Sequence, residues 1–467
     1  MVAMIDLILV YIENLRSLKV TCQGSSSRLG VNFPWTSNHS EPWNNYIMDV
    51  LKQEILDMGK RARKAALALG NLTTAQKNAI LLSMADGLIT CQASILEANA
   101  RDLAAAEKNG LTKAMIDRLS LDGPRIDAIA NGIRQVAALP DPVGETLAEW
   151  DRPTGIHIVK KRVPIGVIGI IYESRPNVTS DAAVLCFKSG NATILRGGKE
   201  AIYSNGAIAD ALDFGGREAG MPEGAIQLIR TPDRATVGYL AEMDQYLDLI
   251  IPRGGKGLIE TVVSLARMPV IKHYDGICHV YVDKDADLEM AKAIAINSKT
   301  HKPSVCNALE TLLVHRDVAE AFYADGGQAL LDTGVALRGD ATLEKVLPGK
   351  VEQATEEDWT AEYLDLILAV KTVDSIDDAI GHINTYSSRH SDCIVTKDAA
   401  LAERFLNEID SAAVFWNTST RFSDGEEFGF GAEIGISTDK LHARGPMALP
   451  ELTSYKYLVT SDGVVRR

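Results

Sequence analysis

One cysteine of the chain lies in a setting that suits nucleophilic chemistry. Cys306 is preceded by a polar, basic segment that contains Lys299, His301 and Lys302. Positive charge near a thiol favours the nucleophilic thiolate, and Pro303 cannot continue a helix. We predict that Cys306 is displayed in a cleft, the alternative being an inert buried thiol. Four further cysteines occupy apolar periodic runs and are predicted to be buried side chains: Cys91, Cys186, Cys278 and Cys393.

Three turns that follow apolar runs could bind an anion. Residues 190–200 and 250–257 each place glycines, an arginine and a lysine after a predicted strand. Glycine lets backbone N–H groups approach a phosphate, and the basic side chains neutralise it. Residues 172–178 end another strand, where ligands of open parallel sheets collect. Each turn alone also fits an ordinary loop, and residues 428–438 fit either a lid or a flexible connection.

Common nucleotide and metal motifs are missing from the sequence. None of the four Gly-Lys dipeptides is followed by Ser or Thr, and no Gly-x-Gly-x-x-Gly follows a strand. There is no Cys-x-x-Cys pair, no His-Glu-x-x-His and no Gly-x-Ser-x-Gly. These absences argue against Walker-type and ordinary Rossmann nucleotide loops and against an α/β-hydrolase, and the sequence predicts no metal site.

The elements that must position these residues follow an α/β pattern. Residues 48–139 show helical spacing, with a stop at Gly70, a capping-box pattern at 73–76 and a break at Gly110. Farther along, short apolar runs alternate with helical stretches, which predicts two doubly wound domains with parallel sheets. The predicted strands cover residues 163–172, 192–196, 225–230, 247–252, 278–283, 309–315, 364–373, 392–396 and 412–417, with a helix over 288–298.

Composition limits the class of protein. The 467 residues include 48 Lys or Arg and 62 Asp or Glu, so the net charge is −14, and 46% are hydrophobic. These values are typical of an acidic globular protein and argue against a nucleic-acid partner. The dispersed cysteines predict reduced thiols in the cytoplasm, and no apolar run reaches the roughly 20 residues of a membrane span. Residues 1–47 lack periodicity and are predicted to be an appended extension.

Six motifs, taken in order, resemble the gamma-glutamyl phosphate reductase family within the aldehyde dehydrogenase superfamily. They read Tyr-Glu-Ser-Arg-Pro-Asn, Ser-Gly-Asn-Ala-Thr-Ile-Leu-Arg-Gly-Gly-Lys-Glu, Ile-Pro-Arg-Gly-Gly, Pro-Ser-Val-Cys-Asn-Ala-Leu-Glu, Phe-Gly-Phe-Gly-Ala-Glu-Ile-Gly and Lys-Leu-His-Ala-Arg-Gly-Pro-Met. The resemblance implies two parallel-sheet domains of aldehyde dehydrogenase type and a small oligomerisation tail. It divides the chain into an NADP-binding domain, a catalytic domain and the tail, at residues 48–275, 276–445 and 446–467.

The resemblance also implies a reaction. It is the NADPH-dependent reduction of L-glutamyl 5-phosphate to glutamate 5-semialdehyde and phosphate, the second step of proline biosynthesis from glutamate. Cys306 would form a thioester, and its backbone N–H with the Asn307 side chain would bind the oxyanion. Substrate anions would bind Arg175, Asn177 and Arg444. The cofactor would contact Arg196, Gly197, Gly198, Lys199, Arg253, Gly254, Gly255 and Asp365.

One departure from the hydrolytic aldehyde dehydrogenases bears on the choice of reaction. Residues 268–276 stand where those enzymes resemble one another in a water-activating glutamate, and no glutamate occurs there. This favours phosphate over water as the acyl partner. A hydrolytic semialdehyde dehydrogenase and a non-catalytic binding protein remain the alternatives. The resemblance further predicts a homo-oligomer that pairs through strand 453–459, and contact with the glutamate 5-kinase that makes the unstable acyl phosphate.

Overall fold

The amino-terminal helix starts earlier than the sequence pattern predicts. The computed structural model describes residues 40–466, and helix α1 (Ser40–Leu69) already includes Pro42. Proline is accepted in a first helical turn because its missing N–H needs no partner there. The loop predicted up to Pro42 is therefore wrong for its last three residues. The rest of that prediction, over residues 1–39, lies outside the described part of the chain.

Side-chain caps set the limits of the following helices. Helix α1 ends directly before the predicted Gly70 stop. Thr73 and Gln76 form the predicted capping box, and Asp122 caps another helix by accepting a hydrogen bond from the Arg125 N–H. The further helices are α2 (Thr74–Thr90), α3 (Gln92–Lys108), α4 (Lys113–Leu119), α5 (Gly123–Ala138), α6 (Asn177–Lys188), α7 (Ile202–Glu218), α8 (Ala235–Ala241), α9 (Lys256–Leu265), α10 (Leu288–Thr300), α11 (Arg316–Phe322), α12 (Gln328–Asp332), α13 (Ala341–Val346), α14 (Ile376–Tyr386) and α15 (Ala399–Glu408).

A four-stranded parallel sheet forms the centre of the first α/β region. Its strands are β3 (Val167–Tyr172), β4 (Ala192–Arg196), β5 (Ile226–Leu228) and β6 (Leu249–Arg253), in the order β5-β4-β3-β6. Helices pack tightly against one another over this sheet. A methyl group on Gly215 of α7 would lie 2.2 Å from the Ser83 carbonyl oxygen of α2, so the small residue permits the contact.

A seven-stranded sheet forms the second α/β region. All its neighbouring pairs are parallel, in the order β10-β9-β11-β8-β7-β12-β13. Apolar clusters pack on this sheet. Two parallel sheets with helices confirm the predicted fold class, whereas the domain boundaries at 275 and 445 stay predictions. The strands are β7 (Cys278–Val282), β8 (Leu309–His315), β9 (Ala336–Gly339), β10 (Glu352–Gln353), β11 (Ile367–Val373), β12 (Ser391–Val395) and β13 (Ala413–Trp416).

The single strand predicted over residues 163–172 is wrong, because Gly166 divides it. Gly166 has a φ of 136°, and a Cβ there would lie 2.2 Å from Oδ2 of Asp248. That carboxylate accepts a hydrogen bond from the Val167 N–H and fixes the start of β3. Residues 163 and 164 of the predicted strand belong to β2 (His157–Pro164) of a separate antiparallel sheet.

The separate sheet carries the predicted carboxy-terminal strand. Its order is β1-β2-β16, with β1 (Thr146–Asp151) and β16 (Thr453–Thr460) at the edges. All of β16 after its first residue is exposed, including Tyr455 and Tyr457. A short pair, β14 (Ile436–Ser437) and β15 (Gly445–Pro446), precedes it. Among the described helices none can cross a membrane alone, and only the bent pair α2 and α3 meets the length and hydropathy needed.

Candidate active site

Three strand ends bring the predicted anion-binding turns together. β3 lies between β4 and β6, and Ile171 pairs with Arg196 while Tyr172 pairs with Arg253. The three following turns therefore share the carboxyl edge of one sheet, where ligands of such sheets bind. Glu173 ties two of the turns together, since its carboxylate accepts the Gly255 N–H at 3.0 Å.

The turn after β4 packs tightly against neighbouring protein atoms, and its predicted contact with the cofactor stays a prediction. A Cβ on Gly197 would lie 2.1 Å from Nδ2 of Asn205, and one on Gly198 would lie 3.1 Å from the Ser174 nitrogen. Arg196 is half-buried, and its Nε is enclosed without a hydrogen-bond partner among the described residues. Burial lowers the pKa of this guanidinium, although Glu200 opposes the shift. Lys199 is exposed beside it.

Arg253, at the end of β6, lies against residues 428–438, which the sequence predicts to be either a lid or a flexible connection. Its Nη1 would be 2.2 Å from a Cβ on Gly435. Its charge lowers the pKa of Asp181 and Glu433, while burial raises the pKa of both groups. Arg253 therefore lies near the carboxylates of Asp181 and Glu433, at the carboxyl end of β3, where Arg175 follows. Its predicted contact with the cofactor pyrophosphate stays a prediction.

Cys306 lies half-exposed in the loop between α10 and β8. Its backbone is seated against Gly276, where a Cβ would come within 2.0 Å of the Cys306 carbonyl oxygen and 2.4 Å of its Cα. Sγ of Cys278 donates to the same carbonyl oxygen at 3.3 Å. Cys278 itself is buried, as are Cys186 and Cys393, which agrees with their predicted role as core side chains. Cys91 is only partly buried.

Asn307 holds the neighbouring backbone in place. Its side chain is buried, and Nδ2 donates to the carbonyl oxygens of Ser423 at 3.0 Å and Arg421 at 3.5 Å. Both hydrogens of the amide are thus engaged by the backbone, which disfavours the predicted oxyanion contact of this side chain. The Cys306 N–H, the other predicted donor, has no hydrogen-bond partner among the described residues.

Lys299 does not belong to the basic loop beside the thiol. Helix α10 continues to Thr300, two residues beyond the predicted end, and carries Lys299 into the interior. There its Nζ lies 2.7 Å from Oε2 of Glu310, and both side chains are fully buried. The prediction that Lys299 favours the thiolate is therefore wrong, because Glu310 neutralises its charge. His301 and Lys302 are exposed beyond the helix.

A cleft of about 670 Å³ lies beside this loop. Arg175 and Asn177, both predicted to bind substrate, line it together with Lys302 and Ser304 of the cysteine loop. Burial lowers the pKa of Arg175, Arg118 and Arg253 lower it further, and Cys306 raises it. Arg175 lines the same cleft as Lys302 and Ser304, which lie four and two residues before Cys306. Sequence reasoning missed the other charged lining residues: Asp117, Arg118, Arg125 and Asp181.

Two predicted contacts lie in other surroundings. Arg444 donates from Nη1 to Asp410 at 2.9 Å and does not line the cleft, and its predicted contact with the substrate stays a prediction. Asp365 is exposed, and its Oδ1 accepts the N–H of the next residue. The sequence analysis missed the carboxylate of Glu362, which accepts the Gly276 N–H at 2.8 Å. Glu362 is thereby bonded to the residue on which the Cys306 backbone is seated. Burial raises the pKa of Glu362.

The stretch that lacks the water-activating glutamate is held by side-chain contacts. Nζ of Lys272 lies 3.0 Å from Oδ1 of Asp439, and Nδ1 of His273 lies 2.9 Å from the Ile436 carbonyl oxygen. Lys272 therefore connects this stretch to Asp439, directly after residues 428–438, and His273 connects it to Ile436 within those residues. Among the described residues, no group of His, Cys, Asp and Glu side chains has the arrangement of a metal site.

Comparison with known proteins decides the family. Residues 40–342 match the aldehyde dehydrogenase family. A gamma-glutamyl phosphate reductase of Moorella thermoacetica is 54% identical over 414 residues, which cover 89% of this chain and 99% of that protein. The chain belongs to the gamma-glutamyl phosphate reductases of the aldehyde dehydrogenase family. This confirms the resemblance predicted from the six motifs, and the chain is an oxidoreductase.

Further relatives of the reductase family agree with this assignment. The gamma-glutamyl phosphate reductase of Geotalea daltonii is 54% identical over 415 residues, covering 89% of this chain and 99% of its own. The crystal structure of the Thermotoga maritima gamma-glutamyl phosphate reductase matches with a TM-score of 0.87 and 46% identity, over 89% of this chain and 100% of that one. An acetylating aldehyde dehydrogenase of Geobacillus thermoglucosidasius, at 18% identity and a TM-score of 0.62, shares the fold. Membership in this reductase family implies a nicotinamide cofactor.

Proposed function

We propose that the chain reduces L-glutamyl 5-phosphate to glutamate 5-semialdehyde and phosphate, with NADPH as the hydride donor and a thioester on Cys306. The observation that carries this proposal is a half-exposed cysteine beside a cleft lined by Arg118, Arg175 and Lys302. A cationic cleft suits a substrate that bears a phosphate and a carboxylate. The names of the relatives supply the substrate.

The residues at the end of β4 fit a phosphorylated dinucleotide. Gly197 and Gly198 leave no room for a Cβ, and the Nε of Arg196 is buried without a partner in the described part of the chain. Arg196 and Lys199 would hold the 2′-phosphate, which favours NADP over NAD. When bound, the cofactor supplies the hydride that takes the thioester to the aldehyde oxidation level.

The protein groups divide the reaction into two easier steps. The Cys306 thiolate attacks C5 of the substrate, and the bond from C5 to the phosphate oxygen breaks. Arg175, which lines the cleft beside the cysteine loop, neutralises charge on the departing phosphate. The free N–H of Cys306 donates to the developing oxyanion. After reduction, the carbon–sulfur bond breaks, the carbonyl forms, and the thiolate is released.

Phosphate rather than water is the proposed acyl partner. Residues 268–276 contain no glutamate to activate water. Lys272 and His273 of this stretch are engaged with Asp439 and the Ile436 carbonyl oxygen. A water-activating base would let the thioester leak to the free acid, so its absence favours the phosphate-dependent reaction over the hydrolytic alternative.

The reverse reaction tests this function. Protein, glutamate semialdehyde in its cyclic form, phosphate and NADP are mixed, and NADPH is followed by its absorbance. We expect formation that depends on phosphate, is faster with NADP than with NAD, and falls at least about 10³-fold in Cys306→Ala. Cys91→Ala, which removes a partly buried thiol between α2 and α3, is the matched control and keeps the parental rate. Turnover by Cys306→Ala at the parental rate, or NADPH formation without phosphate, would contradict the proposal.

The assembly and location of the enzyme belong to the same proposal. The exposed edge strand β16 suits pairing with a second copy, because an open strand edge presents unpaired N–H and C=O groups. We expect light scattering to give the mass of an oligomer. Contact with the kinase that supplies the acyl phosphate, and a cytoplasmic location suited to reduced thiols, complete the proposal.

A further inference from the structure

The cleft holds more positive charge than its own carboxylates balance. Arg125 is paired with Asp117 at 2.7 Å, which leaves three cations in the lining. These cations, Arg118, Arg175 and Lys302, form no ion pair with any described residue. One carboxylate, Asp181, lies among them. A site for anions alone would gain nothing from this carboxylate, because it repels phosphate and carboxylate groups.

Asp181 is held so that one of its oxygens remains available. It lies one helical turn after Asn177 on α6, and Nδ2 of Asn177 donates to Oδ2 at 2.9 Å. Oδ1 has no hydrogen-bond partner among the described residues. Burial raises the pKa of Asp181 to about 6, while Asn177 and Arg253 oppose the shift. The carboxylate is therefore ionised at neutral pH, with one oxygen free to accept from a ligand.

The charges of an α-amino-acid acyl phosphate match this arrangement. Such a molecule has a phosphate and a carboxylate for the three cations, and one ammonium group for one carboxylate. We infer that Asp181 receives the α-ammonium group of the substrate, so that the cleft selects an α-amino acid over the analogue that lacks the amino group. This inference rests on the proposed function, which names the substrate but assigns no residue to its amino group.

Selection by such a group is strong because the wrong ligand leaves it unpaired. The deaminated analogue would bring two anions into the cleft and nothing to balance the Asp181 charge. Sites that pair a polar group of the substrate reject the analogue lacking it more strongly than apolar pockets reject a missing methylene. We expect kcat/KM for glutamate semialdehyde to exceed that for 5-oxopentanoate by at least about 10²-fold.

The test compares both aldehydes with phosphate and NADP in the parent and in Asp181→Asn. Asparagine keeps the size of the side chain and removes its charge. We expect KM for glutamate semialdehyde to rise about 10- to 100-fold, as for the loss of a charged hydrogen bond. KM for 5-oxopentanoate should stay the same or fall. Asp181→Glu retains the charge and should retain the preference for glutamate semialdehyde over 5-oxopentanoate. This variant provides a second measurement if Asp181→Asn does not fold.

A matched control is Asp332→Asn. Asp332, an exposed residue at the end of α12, accepts a hydrogen bond from Gln328 four residues earlier, an amide–carboxylate pair like that of α6. This variant should keep the parental preference. A parent that fails to oxidise glutamate semialdehyde with phosphate would overturn the proposed function and the inference with it. An active parent with an Asp181→Asn variant that keeps the preference, or that loses both substrates equally, would overturn the inference alone.

Discussion

The contact between Gly276 and the cysteine loop leads to the sharpest prediction for catalysis. A methyl group at Gly276 would lie 2.0 Å from the Cys306 carbonyl oxygen, whereas ordinary contacts begin at 3.4 Å. The obstacle is backbone, so no side chain can rotate away. In Gly276→Ala the loop that carries the thiol must therefore retreat by about 1.4 Å. A displacement of about 1 Å in an active site costs on the order of 10²-fold in rate.

The expected result is a kcat about 10²-fold below the parent in the phosphate-dependent assay, with a loss of about 1–3 kcal/mol in the free energy of unfolding from overpacking. The alkylation rate of the Cys306 thiol should change as well. Gly381→Ala is the matched control, because Gly381 is exposed on the outer face of α14 and a Cβ there would meet open space. It should keep full activity and gain some stability. A Gly276→Ala enzyme whose kcat stays within threefold of the parent would refute the close seating of the loop.

Two further predictions concern buried charges. Lys299→Met leaves the Glu310 carboxylate buried without its partner, so urea unfolding should show a loss of about 3–5 kcal/mol, and Lys299→Met with Glu310→Leu should recover most of it. A double variant as unstable as the single one would contradict this account. The pKa of Asp181 is raised on folding to about 6, so its contribution to stability is present below its unfolded value near 4 and lost as pH rises through 6. Thermal unfolding should therefore show that the free energy of unfolding of Asp181→Asn, relative to that of the parent, rises by about 2–3 kcal/mol from pH 4 to pH 8. A difference between the two proteins that does not change with pH would contradict this account.

Local sequence patterns predicted the elements whose limits are set locally. The strand predicted over residues 192–196 matches β4, and the capping box at Thr73 forms as its spacing indicates. Apolar runs and caps act over a few residues, so the chain itself carries the information. The strand ends also placed two glycine-rich turns on one sheet edge, because parallel strands put their carboxyl ends together.

Errors arose where a distant residue decides the local structure. Gly166 ends one sheet and starts another because Asp248, far along the chain, accepts the Val167 N–H. Lys299 reads as part of a basic loop until Glu310 of β8 draws it into the interior. Nothing in the residues adjacent to either position reports these partners. Periodicity identifies an element, but a buried charge is placed by whichever opposite charge the fold brings to it.

The substrate cleft shows the same limit at the site itself. Arg118 lies in α4, whereas Arg175 follows β3 more than 50 residues later. Only the tertiary structure brings these two side chains to one cavity. The spacing of Asn177 and Asp181, four residues apart, is a local signal of a side-chain pair, yet it does not reveal that the pair faces a cleft. The resemblance could therefore suggest the reaction, its nucleophile and the substrate contacts of Arg175 and Asn177, whereas Arg118 and Asp181 became apparent only from the tertiary structure.

Unpaired charge in the cleft connects stability with specificity. Arg175 is exposed and Asp181 is partly buried, and desolvation shifts the pKa values of both groups in the directions that disfavour their charged forms. Each charge thus costs folding free energy, and no described residue pairs with Arg175. A ligand that carries two anionic groups and one ammonium group would relieve both costs at once. The charges that destabilise the empty cleft are then the charges that select its substrate, which is why Asp181→Asn is expected to gain stability and lose selectivity together.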